Sequence, residues 1–72
     1  MRLSELQSKD IITVDGRLVG NIIDVIITEG KIQNIVVEKS RFFLSRFSAK
    51  DEIEISWNQI KTIGDDVILV DL

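Results

Sequence analysis

The first half of the chain alternates short apolar segments with residues that favour tight turns. Residues 11–14 (IITV) predict a strand, and Asp15-Gly16 predicts a hairpin turn after it, because glycine accepts the positive φ that such turns need. Residues 18–28 are apolar and rich in β-branched side chains, which predicts a second strand. A glycine inside a strand often marks a bulge, so Gly20 predicts a bulge or a bend.

The alternation continues through the next segments. Glu29-Gly30 predicts a second turn, and residues 31–39 predict the strand that returns from it. In residues 52–57 (EIEISW) apolar and polar residues alternate strictly, which predicts a strand with one apolar face in the core. That face comprises Ile53, Ile55 and Trp57, and the opposite face comprises Glu52, Glu54 and Ser56.

The end of the chain predicts one helical turn and a last strand. Ser56 is a good N-cap, and Gln59 three residues later is the partner that a capping box requires. Residues 64–66 (GDD) predict a third turn, and residues 67–70 (VILV) predict a strand. Five to six short antiparallel strands with tight turns and no long helix are typical of a small all-β, SH3-like barrel. We therefore predict a single domain over residues 1–72.

Two of the predicted strands carry more apolar residues than a sheet with one buried face needs. In residues 22–27 and 67–70, strict alternation separates the apolar side chains into two sets. The set expected in the core comprises Ile23, Val25, Ile27, Val67 and Leu69. The set expected outside comprises Ile22, Ile26, Ile68 and Val70. An outer apolar face indicates either another packed element or self-association, and we predict that the outer set forms a homodimer contact.

Composition excludes several kinds of site. The 72 residues contain no histidine and no cysteine, so the commonest metal ligands, the usual general base and any disulfide are missing. We therefore expect no enzyme activity, no metal site and no cofactor. The net charge of −3 makes the whole molecule a poor binder of polyanions. Since no segment has the apolar length of a signal peptide or a membrane span, we expect a cytoplasmic protein.

The remaining candidates for chemistry are carboxylates. Glu52 and Glu54 share a strand face about 7 Å apart, a spacing that paired catalytic carboxylates can have. Alternation, however, places this face toward solvent. Asp65-Asp66 is typical of a turn, and a weak site for a divalent cation is the alternative there. Asp24 lies between apolar residues, so we expect it to be exposed, to pair with a nearby arginine or lysine, or to contact a partner.

The segment 40–50 (SRFFLSRFSAK) holds all three phenylalanines and two of the four arginines. In one interpretation the phenylalanines plug an end of the barrel and the arginines are solvated. In a second they form a docking patch for a protein, because interfaces combine an apolar centre with a polar rim. Contacts with RNA, or with a membrane surface, are further alternatives. The predicted partner-binding residues are Arg41, Phe42, Phe43, Leu44, Arg46 and Phe47.

Several motifs resemble those of PRC-barrel domains over essentially the whole chain. They are residues 1–6 (MRLSEL), Asp15-Gly16 followed by Gly20, and residues 55–72 (ISWNQIKTIGDDVILVDL). The chain is most similar to the short stand-alone type, the YlmC/YmxH family of sporulation-associated proteins. It departs from that pattern at two places: Ser56 replaces the proline that usually precedes the tryptophan, and Phe47-Ser48 replaces a phenylalanine-glycine pair.

The resemblance implies a six-stranded barrel without catalytic residues that docks onto other macromolecules, with a link to spore formation. PRC-barrels are similar in this role in a photosynthetic reaction-centre subunit and in the ribosome maturation factor RimM. Two alternatives to a protein-docking module remain open: an RNA- or ribosome-associated factor, by analogy with RimM, and a purely structural homo-oligomer. We expect an unidentified protein partner and a homodimer, and we regard nucleic acid as the less favoured partner.

Overall fold

The computed structural model describes residues 1–40 and 51–72, which form a six-stranded β-sheet preceded by a short helix. The elements are α1 (Leu3–Gln7), β1 (Asp10–Thr13), β2 (Leu18–Thr28), β3 (Lys31–Lys39), β4 (Glu52–Ser56), a 3-10 turn (Trp57–Gln59), β5 (Ile60–Ile63) and β6 (Val67–Val70). The strands lie in the order β4-β3-β2-β1-β6-β5. The prediction of an all-β fold with one short helical turn near Trp57 is confirmed.

Two hairpin turns lie where the glycines predict them. Asp15-Gly16 lies in the turn between β1 and β2, and Glu29-Gly30 lies between β2 and β3. Gly16 has a φ of 91° and Gly30 a φ of 77°, backbone conformations that glycine adopts without steric cost. Local turn chemistry therefore determines where β2 begins and ends.

One strand pair differs from the prediction of antiparallel strands. Four neighbouring pairs among the described strands are antiparallel. The strands β1 and β6, however, are parallel, with Asp10 beside Val67 and Thr13 beside Val70. The prediction is wrong for this pair because alternation shows which side chains share a face and carries no information about the direction of a neighbouring strand.

The 3-10 turn has the capping box that the sequence predicts. The Ser56 hydroxyl accepts a hydrogen bond from the backbone N–H of Asn58 at 3.3 Å, and the Gln59 side-chain oxygen accepts one from the backbone N–H of Ser56 at 2.9 Å. The helix α1 was not predicted, because it has five residues and only Leu6 of these is buried. In the described ranges, no helix has the length and apolar character that crossing a membrane requires.

Among the described residues, nine buried apolar side chains form one cluster inside the sheet. They are Leu6, Ile11, Val19, Ile22, Ile35, Val37, Ile55, Ile68 and Val70. Ile53 and Trp57 are partly buried and pack against this cluster, so the apolar face predicted for β4 does point to the core. Trp57 lies at the margin of the core, where the 3-10 turn begins.

A bulge interrupts the pairing of β1 with β2 beside Gly20. Ile11 pairs with Gly20 and Ile12 pairs with Leu18, which leaves Val19 as the extra residue. A Cβ atom at position 20 would overlap the backbone carbonyl of Glu38 on β3. The bulge predicted at Gly20 is therefore confirmed, and close approach of a neighbouring strand is the reason for the glycine.

The burial of β2 and β6 contradicts the predicted assignment of faces. Ile22, Ile68 and Val70, predicted outside, are 3%, 0% and 0% exposed and lie in the core. In β2 the pairing skips Ile23, because Ile22 pairs with Val37 and Asp24 with Val36. This bulge reverses the alternation that strict periodicity assumes.

In β6 every residue is apolar, so alternation yields two faces without showing which one is buried. Its neighbour β1 decides this, since Ile68 and Val70 lie beside the buried Ile11 and Thr13. Of the predicted self-association residues only Ile26 remains on the outer side, where it is partly buried. A second apolar face does exist, but other residues form it.

Candidate functional site

The segment predicted to bind a partner lies outside the described residues. Arg41, Phe42, Phe43, Leu44, Arg46 and Phe47 all belong to residues 41–50, between the two described ranges. Their role in docking therefore stays a prediction. The candidate sites that the structure describes lie on the outer sides of the sheet.

One outer surface, formed by β2, β3 and β4, combines apolar and acidic side chains. Its side of the sheet is established by burial: Ile35, Val37 and Ile55 point into the core, so the residues that alternate with them point out. We name this surface the acidic face, and its residues are Ile23, Asp24, Ile26, Val36, Glu38, Glu52 and Glu54.

Strand register places the acidic residues around an apolar centre. Val36 on β3 lies directly between Asp24 on β2 and Glu54 on β4. The next outward pair joins Glu38 directly to Glu52. Carboxylates opposite each other across a strand pair repel and destabilise the pairing. The acidic face thus has an arrangement that sheet formation alone does not favour.

Hydrogen bonds hold two of these carboxylates in place. The Asn34 side-chain amide donates to Glu54 at 3.0 Å, and the backbone N–H of Val25 donates to Asp24 at 2.8 Å. Asp24 is exposed, as the first of the alternatives for this residue expects. Glu52 and Glu54 are both exposed, as the alternation of β4 predicts.

The positively charged side chains of the described residues lie outside the acidic face. The outward positions of β2, β3 and β4 that form the acidic face include no lysine and no arginine. The ion pairs described in residues 1–40 and 51–72 join Arg17 to Asp15 at 3.3 Å and Lys61 to Asp71 at 3.9 Å. The face therefore concentrates negative charge on one side of the sheet.

A second outer surface crosses β2, β1 and β6. Ile12 pairs with Leu18 on one side and with Leu69 on the other, so the three side chains form a continuous apolar row. Leu18 is 41% exposed, and the other two are partly buried. We name this row, with the ion pairs Arg17–Asp15 and Lys61–Asp71 near its ends, the mixed face.

The β1–β2 turn contains a charged network beside the mixed face. The Thr13 hydroxyl is buried, donates a hydrogen bond to the Asp15 carboxylate and accepts one from the backbone N–H of Arg17 at 2.9 Å. The hydrogen bond from Thr13, aided by the Arg17 guanidinium, holds the pKa of Asp15 below its ordinary value of 3.8. This network braces the turn and satisfies the buried hydroxyl.

The other acidic residues considered for chemistry lie in a turn. The Lys9 ammonium group donates hydrogen bonds to the backbone carbonyls of Gly64 and Asp65, both at 2.7 Å. Asp65-Asp66 therefore belongs to the turn before β6, as predicted. Within the described ranges, no three acidic side chains come together in a way that could hold a metal ion.

Sequence reasoning missed most of the residues that form the two outer faces. Strict alternation placed Ile23 and Leu69 in the core, although the bulge in β2 and the neighbour of β6 turn them outward. Glu38 was not singled out, because only the register of β3 with β4 brings it opposite Glu52. The sequence feature that did indicate an outer apolar surface was the excess of apolar residues in β2 and β6.

Comparison with known proteins agrees with the observed fold. The sequence pattern of the PRC-barrel domain matches residues 1–72. The chain is 42% identical over 73 aligned residues to the protein named "Probable sporulation protein YlmC" of Bacillus subtilis (strain 168), and the alignment covers 97% of this chain and 90% of that protein. The resemblance inferred from the sequence motifs is confirmed on both counts, and the chain belongs to the PRC-barrel family.

Proposed function

We propose that this protein is a non-enzymatic docking module that binds another protein in the cytoplasm of spore-forming bacteria. The observation that supports the proposal most directly is the presence of apolar side chains on the outer sides of the sheet. Ile23 is 42% exposed and Leu18 is 41% exposed, and both lie beside partly buried apolar neighbours on adjacent strands. Exposed apolar patches with charged margins are typical of protein interaction sites.

The geometry of the carboxylates favours docking over catalysis. Glu52 and Glu54 are exposed on the outer side of β4. Catalytic carboxylates usually lie in a cleft that restricts the access of water. The link to spore formation rests on the name of the relative in Bacillus subtilis.

An RNA- or ribosome-associated role is the alternative that the analogy with RimM suggests. The acidic face opposes it, because Asp24, Glu38, Glu52 and Glu54 would repel a phosphate backbone. Protein purified without nuclease should therefore show no absorbance at 260 nm beyond that of the polypeptide. Co-purifying nucleic acid that is released by raising the salt concentration would favour the alternative instead.

Affinity capture from a lysate of sporulating cells tests the docking proposal. The bait is the wild-type protein, compared with the double variant Phe42→Ser, Phe43→Ser and with the control Leu3→Ser, which changes an apolar residue that is 45% exposed and lies in α1, outside the sheet. Circular dichroism and Trp57 emission establish that each variant is folded.

We expect a defined protein to be captured by the wild type and by Leu3→Ser, and to be lost with the folded double variant. If a variant with serine at Leu18 or Ile23 loses the partner while the double variant keeps it, docking uses the outer faces and not segment 40–50. If no bait captures any protein above background, the docking proposal is wrong.

A further inference from the structure

We propose that the acidic face binds a positively charged segment of another protein, in which lysine or arginine residues flank an apolar anchor. This inference rests on the proposed docking function and adds the chemistry of the partner and the location of its site. Three features of the face support it: its apolar centre, the spacing of its carboxylates and the cost of their arrangement to the isolated chain.

The apolar centre offers a contact for one or two partner side chains. Val36 lies in the middle strand of the face, with Ile23 and Ile26 on the neighbouring strand β2. Ile23 is the bulged residue and is 42% exposed, so it projects from the sheet. A partner that covers these side chains gains hydrophobic free energy in proportion to the area buried.

The carboxylates match cations placed on either side of such an anchor. Asp24 and Glu54 lie on opposite sides of Val36 in one row across the sheet. The row beside it contains Glu38 and Glu52. Neighbouring strands lie about 4.8 Å apart, so the two carboxylates beside Val36 are about 10 Å apart across three strands. In an extended segment successive side chains point to opposite sides, so an apolar residue presents basic neighbours to the same face when they lie two positions before it and two positions after it.

Within the described residues, the opposed carboxylates carry an electrostatic cost that such a partner would relieve. Glu38 and Glu52 are directly opposite each other, and like charges in this position destabilise a strand pair. Among the described residues, the outward cation on these strands is Lys31, which pairs with Thr28 at the hairpin end of β3, five residues or more along the strand from Val36 and Glu38. An arginine or lysine of the partner placed between these carboxylates converts the repulsion into charge-assisted hydrogen bonds.

Charge also argues against the other occupants of this face. A second copy docked face to face would bring two sets of four carboxylates together, which is unfavourable. A nucleic acid or an anionic membrane would be repelled for the same reason. We therefore expect the acidic face to bind a different partner from the mixed face, where charges of both signs are present.

A binding assay with purified components tests this inference. The probe is a fluorescein-labelled peptide in which arginine and leucine take turns at every second position with serine between them, so that both lie on one side of the extended chain. The control peptide carries glutamate at the arginine positions. Binding is followed by fluorescence anisotropy against the full chain at low ionic strength. We expect saturable binding of the arginine peptide, weakened as salt screens the charges over a Debye length of about 10 Å at 0.1 M.

Two variants of equal charge separate the acidic face from the overall charge of the molecule. The face variant is Glu38→Gln, Glu52→Gln, Glu54→Gln. The control variant neutralises three exposed carboxylates elsewhere and is Glu5→Gln, Glu29→Gln, Asp65→Asn. We expect the face variant to bind the peptide about tenfold more weakly, as three surface charge pairs imply, and the control variant to bind within about twofold of the wild type.

A folded variant that changes the apolar centre supplies the second arm of the test. Ile23→Ser should also weaken binding, whereas Ile27→Ser, which changes a residue 63% exposed near the hairpin turn, should not. Equal losses in the face and control charge variants would mean that the peptide senses only net charge, and the inference would be wrong.

Unchanged binding in the face variant, or no binding of the arginine peptide by the wild type, would also overturn it. In either of these cases, capture of a defined protein from the lysate by the wild type would leave the docking function standing. The failure of the two proposals can therefore be told apart.

Discussion

At the residue scale, the close approach of the Glu38 backbone carbonyl explains why position 20 is a glycine. Replacing Gly20 with alanine places a methyl group against the Glu38 carbonyl, so β2 and β3 must separate. We expect Gly20→Ala to lower the free energy of unfolding by about 2–4 kcal/mol, measured by urea denaturation followed through Trp57 emission. Gly16→Ala is the control, because only its positive φ opposes the change, and it should cost about 1 kcal/mol. Equal costs at the two positions would contradict this explanation.

The network of Thr13, Asp15 and Arg17 predicts a pH dependence. The pKa of Asp15 is lower in the folded chain than its ordinary value of 3.8, so folding favours the ionised carboxylate. The contribution of Asp15 to stability is then fully present above about pH 3.8 and is lost as the pH falls through the lower folded pKa. The difference in unfolding free energy between the wild type and Asp15→Asn should shrink over this acidic range. A difference that stays constant with pH would refute the prediction.

At the scale of elements, the bulge at Ile23 determines which residues of β2 reach the core. Ile22 is 3% exposed whereas Ile23 is 42% exposed. Ile22→Ser leaves a cavity and a buried hydroxyl, and should therefore lower the free energy of unfolding by about 3 kcal/mol or more. Ile23→Ser should cost less than about 1 kcal/mol. Chemical denaturation of the two variants measures both losses in unfolding free energy. A larger loss for Ile23→Ser than for Ile22→Ser would contradict the bulge and favour strict alternation along β2.

At the scale of the whole molecule, the mixed face is the surface that we propose for a homodimer. Its apolar row of Ile12, Leu18 and Leu69 is accompanied by charges of both signs, so two copies can meet without the repulsion expected at the acidic face. We expect sedimentation equilibrium to detect a dimer that Leu18→Ser weakens about tenfold and that Leu3→Ser, in α1, leaves unchanged. A wild type that is monomeric at every concentration would disprove this proposal. The separate proposal that the acidic face binds a basic segment would still stand.

Local chemistry in the sequence determined the turns, the capping box and the boundaries of most strands. Asp15-Gly16 and Glu29-Gly30 end their strands because glycine accepts the required φ, and Ser56 with Gln59 starts the 3-10 turn through contacts three residues apart. These features depend on neighbours along the chain, so they can be recognised without the fold. The motifs at both ends of the chain likewise carried the family resemblance.

Only the tertiary structure decided which side of each strand is buried. In β6 four consecutive apolar residues make both faces equally suitable, and the parallel neighbour β1 selects Ile68 and Val70 for the core. In β2 the bulge at Ile23 reverses the alternation. The pair Glu38 and Glu52 exists only through the register of β3 with β4. Each of these choices depends on pairing between distant segments, whose register and direction a period-two pattern does not encode.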